Sequence, residues 1–102
     1  MESDTIVKPK IEIRLDLKEP GMFRVIYVND EKTTMDFVID SLVTVFNISL
    51  VVAHDLTQKI NAEGSATVAI MPFELAEQKG IEVTLLARSN GFPLLIKLES
   101  ED

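Results

Sequence analysis

Met22-Phe23-Arg24-Val25-Ile26-Tyr27-Val28, then Asn29-Asp30-Glu31-Lys32, then Thr33-Thr34-Met35-Asp36-Phe37-Val38-Ile39 carries the chain from strand to helix in one uninterrupted stretch. The first seven residues are β-branched and aromatic, the composition of a strand. The next four are polar and suit a turn. Thr33 and Asp36 are spaced as a capping box, with Thr33 as N-cap and Asp36 reaching back to it, so a helix is expected from here to about Phe46. Phe37, Val38, Leu42, Val45 and Phe46 supply its apolar stripe.

Downstream the alternation of elements continues. Asn47-Ile48-Ser49 is a short break, with Ser49 placed to cap a second helix. Ala53, Leu56 and Ile60 share one face of that helix, and Gly64 ends it. Ser65 to Met71 reads as a second strand. Pro72 fits the first turn of a third helix, where its missing N–H costs nothing, and Glu74 and Glu77 suit that positive end. Phe73, Ala76, Gly80, Val83 and Ala87 keep helical spacing, while Arg88 and Gly91 mark the stop. Phe92-Pro93 turns into a last strand, Leu94 to Glu99. The predicted architecture is α+β: a small three-stranded antiparallel sheet with three helices packed on one face, in the order β-α-α-β-α-β.

Upstream, Ile11, Ile13, Leu15 and Leu17 alternate with Glu12, Arg14, Asp16 and Lys18, the period of a strand. Glu19-Pro20-Gly21 then interrupts the chain. Residues 1–19 are therefore read as an N-terminal extension, a mobile arm or an edge strand, and residues 20–102 as the core domain.

The balance of residues narrows the functions open to such a domain. The 102 residues carry a formal net charge of −7, and the ten Lys and Arg are scattered. Neither nucleic acid nor an anionic membrane is an expected partner, since both need clustered cations. A partner bearing positive charge is favoured. No apolar run approaches a membrane span. Met1-Glu2-Ser3-Asp4 has no basic, apolar leader pattern. With no Cys, thiol catalysis and Cys-zinc sites are absent, and a reducing, cytoplasmic setting is expected. His54 and Asp55 are adjacent, about 100° apart on a helix, and cannot converge as a base and its orienter. No phosphate loop or metal-ligand spacing occurs, so neither enzymatic activity, nor a cofactor, nor a metal is expected.

From Pro20 onward the pattern is specific. Pro20-Gly21-Met22-Phe23-Arg24-Val25-Ile26-Tyr27-Val28-Asn29-Asp30 resembles the opening of the ClpS core, and Thr33 to Ile39 resembles that family's first helix. Ala66, Ala76-Glu77 with Lys79, Ala87-Arg88, Pro93-Leu94-Leu95 and Leu98-Glu99 fall at matching spacings. The resemblance implies a non-enzymatic adaptor. Such a protein binds N-degron substrates, whose first residue is bulky and apolar, and delivers them to a ClpA-like Clp family AAA+ ATPase and its protease. It also implies the fold shared with ribosomal-stalk C-terminal domains.

By that resemblance Asn29, Asp30 and Asn61 contact the substrate's terminal amine. Thr33, Met35, Val38, Ile60 and Leu94 line the side-chain pocket, and Glu74 and Lys79 dock on the ATPase. The chemistry suits those roles. A free amine, with a pKa near ~8, is mostly an ammonium at neutral pH and needs fixed acceptors. Met adapts to varied ring shapes. Taken without the resemblance, Asn-Asp is turn chemistry, Val38 is ordinary core, and Glu74 and Lys79 are a solvated helix face. One position departs from the family, which places a His after the residue at the Ile60 position; Asn61 stands here. Two other readings follow. One is a degenerate paralogue that docks on the ATPase and regulates it with weak or altered amine recognition. The other is a stalk-like interaction domain, which would have no need of the Asn29, Asp30 and Met35 constellation.

Overall fold

The computed structural model describes residues 21–102. The predicted arm or edge strand over residues 1–19 lies outside the described residues, as does Pro20. The elements are β1 (Met22–Val28), α1 (Met35–Thr44), α2 (Leu50–Glu63), β2 (Ser65–Pro72), α3 (Phe73–Ser89) and β3 (Leu95–Ser100). The sheet runs β2-β1-β3, with both pairings antiparallel. The predicted α+β order is the order found.

Alternation along β1 divides the sheet. Val25 and Tyr27 are fully buried, and Phe23 packs against the core. Their cross-strand partners are Ala69, Ala66 and Met71 on β2, and Leu98, Ile96 and Ser100 on β3. Partners directly opposite share a face, so this face meets the helices. The other face carries Met22, Arg24 and Ile26 with Ile70, Lys97 and Glu99. Val68 is the extra residue at a bulge opposite Val25 and Ile26, and it too is buried. Helix α3 lies across all three strands, while α1 packs on α2 and α2 on β2.

Tyr27 is the largest fully buried side chain. Its hydroxyl meets Ser41 Oγ at 2.8 Å, and Ser41 Oγ in turn donates to the Val38 carbonyl. Burial pushes the phenol's pKa far above its ordinary value, with the Ser41 hydrogen bond opposing only in part. The group is therefore a neutral, satisfied strut between sheet and α1.

Element ends differ from expectation in small ways with physical causes. The N-cap of α1 is Thr34, not Thr33; its Oγ1 accepts from the N–H of Phe37 at 3.1 Å. Thr33 is held instead by Asp30, so the cap passes to the next hydroxyl, and Asp36 closes no capping box. Helix α1 stops at Thr44 rather than near Phe46, because Asn47 turns left-handed at φ 57°. Pro72 ends β2 and caps α3 rather than forming its first turn. The last strand begins one residue later than predicted, at Leu95. Ser49 and Gly64 bound α2 as expected, with Gly64 at φ 93°. Helix α3 closes in a Schellman turn at Gly91: Gly91 N–H donates to Arg88 and Phe92 N–H to Ala87.

Candidate functional site

A cavity of about 410 Å³ opens where the β1–α1 turn faces the C-terminal half of α2. Its lining residues are Asn29, Asp30, Glu31, Thr33, Met35, Val38, Thr57, Ile60 and Asn61. The size falls within the range of small-ligand sites, about 300–1,000 Å³.

The turn is rigid for a local reason. Asp30 folds its carboxylate back on its own loop. Oδ1 accepts from the backbone N–H groups of Lys32 at 2.8 Å and Thr33 at 2.7 Å, and Oδ2 accepts from Thr33 Oγ1 at 2.7 Å. Asx chemistry of this kind fixes a turn without help from the sheet. Asn29 is anchored to the facing helix, since its backbone N–H donates to the Gly64 carbonyl at 2.8 Å. The loop is thus pinned to the end of α2 that carries Asn61.

The charge on Asp30 is well supported. Partial desolvation is the largest influence and favours the neutral acid. The Thr33 amide and hydroxyl, the Lys32 amide and the positive charge of Arg88 together outweigh it and hold the pKa below the usual carboxylate value. The Arg88 side chain comes from α3. Its Nη1 donates to the carbonyls of Phe92 at 3.0 Å and Leu94 at 2.9 Å. Phe92 also packs edge-on against Phe37 of α1, with ring centres 5.2 Å apart. Arg88 and Phe92 therefore tie the segment after α3 to α3 itself and to α1.

Below this polar lip the wall is apolar. Val38 and Ile60 are buried and Met35 stands exposed at 38%. Thr57, 2% exposed, is the one buried polar residue of the lining, and its hydroxyl donates to the Ala53 carbonyl at 2.8 Å. The arrangement offers fixed acceptors, one of them ionised, beside the apolar side chains of Met35, Val38 and Ile60, which suits an extended group with a cationic head and an apolar tail.

Seven of the eight residues proposed for amine and pocket converge here. Leu94 is the exception: it is 1% exposed, belongs to the core, and is not part of the lining. Glu74 and Lys79 lie on α3, away from the cavity. Glu31, Thr57 and Arg88 were missed. For Thr57 a signal existed, since it precedes Asn61 by one helical turn and so shares its face. For Arg88 there was none: a cation in a last helical turn reads as a stop signal. His54 lies on an exposed patch with Leu50, Val51 and Asp55, apart from this site. Among the described residues no cluster of three or more metal-ligating side chains occurs, and no helix is long and apolar enough to cross a membrane.

Known proteins resemble this chain along nearly all of its length. The family model "ATP-dependent Clp protease adaptor protein ClpS" matches residues 18–97. The ATP-dependent Clp protease adapter protein ClpS of Nautilia profundicola is 38% identical over 99 residues, covering 97% of this chain and 98% of that protein. The protein of the same name from Treponema denticola is 41% identical over 81 residues, covering 79% of this chain and 80% of its own. Among solved structures, Agrobacterium tumefaciens ClpS2 bound to L-phenylalaninamide aligns with a TM-score of 0.78 and 32% identity, covering 81% of this chain and all of that one. Family match, near-full-length relatives and shared fold agree: this chain belongs to the ClpS family of ATP-dependent Clp protease adaptors.

Proposed function

We propose that this protein is a non-enzymatic adaptor that grips the free amino terminus of substrates with a bulky apolar first residue. It delivers them to a ClpA-like AAA+ ATPase of the Clp protease in the cytoplasm. One observation carries the reading: an Asp30 carboxylate held ionised by its own loop stands at the lip of a cavity walled by Met35, Val38 and Ile60. An ammonium is stabilised at the first and a hydrophobic side chain in the second. The A. tumefaciens relative, solved with an amino-acid amide that has these two features, supports the reading.

In this reading Asp30, Asn29 and Asn61 receive the three N–H groups of the ammonium and the first peptide unit. Burial of one large side chain contributes about 1.5–3 kcal/mol. Each charged hydrogen bond contributes about 1.5–3 kcal/mol. Together they offset the entropy of association only modestly, so affinity in the micromolar range is expected. Glu74 and Lys79, on a separate helix, leave the ATPase free to dock while the cavity is occupied.

Fluorescence anisotropy tests the reading with matched peptides starting with Leu, Phe, Tyr or Trp, each as the free amine and as the acetylated form. Free-amine peptides bind and acetylated ones do not. Equal affinities for the two forms refute amine recognition and leave the regulatory-paralogue alternative, which Asn61 at the position of the family's His motivates.

A further inference from the structure

We infer that Thr57 makes the cavity selective for tyrosine over phenylalanine and leucine as first residue, by receiving the phenolic O–H. The inference rests on the amine-binding reading above.

The geometry is that of one helix face. Asn61 is exposed at the lip and Thr57 is 2% exposed, one turn earlier on α2. Both line the same cavity. Four residues of α-helix rise about 6 Å. That rise is close to the span of a tyrosine from Cα to its hydroxyl oxygen, roughly 6.5 Å for a chain of carbon–carbon bonds and a ring. A first residue whose amine sits against Asp30 and Asn61, with its side chain laid along α2, brings its para position near Thr57.

The chemistry at that depth has a sign. Thr57 Oγ1 donates its one proton to the Ala53 carbonyl at 2.8 Å. What remains on that oxygen is lone-pair density, an acceptor with no competing donor role. Val38 and Ile60 beside it offer no polar side-chain atom. Thr33 also lines the cavity and keeps lone pairs in the same way, but it sits in the β1–α1 turn beside Asp30, at the lip rather than one turn down α2. Below the Asn29 and Asn61 amides of the lip, the side chains at the depth of Thr57 thus present one acceptor. A phenol buried there without a partner would lose its hydration uncompensated; with Thr57 it keeps a hydrogen bond. Phe and Leu gain nothing from the same oxygen and leave its lone pairs unmet.

The test is anisotropy with peptides that differ only in a first residue of Tyr, Phe or Leu, on the wild-type chain and on Thr57→Val and Thr57→Ser. Valine keeps the shape and removes the acceptor; serine keeps the acceptor. Wild-type protein binds the Tyr peptide more tightly than the Phe peptide. In Thr57→Val the Tyr-to-Phe affinity ratio falls about three- to ten-fold, and in Thr57→Ser the ratio is retained. A wild-type chain that favours Phe, or a ratio that survives in Thr57→Val, overturns the role of Thr57 while leaving amine recognition intact. Failure of every free-amine peptide to bind wild-type protein overturns the underlying reading itself.

Discussion

The backbone N–H of Asn29 donates to the carbonyl of Gly64 across 2.8 Å, joining the end of β1 to the end of α2. That bond sets the separation between the Asp30 turn and Asn61, the two sides of the cavity mouth. It depends on Gly64 being left-handed, at φ 93°.

Gly64→Ala therefore costs stability for a backbone reason alone. A Cβ at that position meets nothing within 4 Å, so no clash is involved. Holding an alanine in the left-handed region costs about 1–2 kcal/mol. Urea unfolding of Gly64→Ala should show that loss, and Gly64→Asn should lose less, because Asn tolerates the conformation better.

Asp30 governs the acid limb of binding. Its folded-state pKa is depressed, so its contribution to stability is present above the ordinary Asp value, about 3.9, and is lost as pH falls through the lower folded value. Peptide binding should likewise persist below the ordinary carboxylate range. Thr33→Val removes the hydroxyl bond to Oδ2 and should move the acid limb to higher pH. Asp30→Asn should weaken free-amine peptides by ten-fold or more at neutral pH. Anisotropy between pH 3 and 8 checks both; an acid limb unmoved in Thr33→Val would contradict the assignment.

Asn61 does not titrate, so binding should show no step near pH ~6.5, the ordinary value for His. Asn61→His should create one. Neutral imidazole accepts from the ammonium and its protonated form repels it, so affinity should fall as pH drops through that range. Asn61→His should also bind more tightly than wild type at pH 8. The same titration on His54→Ala should match wild type, since His54 lies outside the site.

Gly80 is a stability reserve distant from the site. It is buried in the interior of α3, beside a cavity of about 230 Å³ lined by Ile81, Leu85, Ile96 and Leu98 among others. An added Cβ would lie 3.5 Å from Ile96 Cγ2, an ordinary contact. Gly80→Ala should then stabilise the protein by about 0.5–1 kcal/mol, the helix-propensity difference, with peptide affinity unchanged. A lower urea midpoint would show that the helix–strand contact is tighter than this geometry indicates.

Local chemistry was enough to read much of this protein from its residues. Strand composition, Ser49, Gly64 and Gly91 placed the elements, because propensity, capping and left-handed turns act over a few neighbours. The candidate cluster Asn29, Asp30, Thr33, Met35 and Val38 came instead from the resemblance to the ClpS family, since local chemistry alone reads Asn-Asp as a turn and Val38 as core. What neighbours in sequence could not settle was which partner each group takes. Thr33 looked like a cap until Asp30 claimed its hydroxyl. Leu94, named for the pocket by resemblance, lies at 1% exposure outside the lining of the cavity. Arg88 looked like a helix stop, but folding brings its charge to Asp30. Thr57 looked like one more polar helix residue until α2 turned it inward. Those assignments are made by contacts between segments far apart in the chain, where burial and electrostatics depend on the assembled sheet and helices.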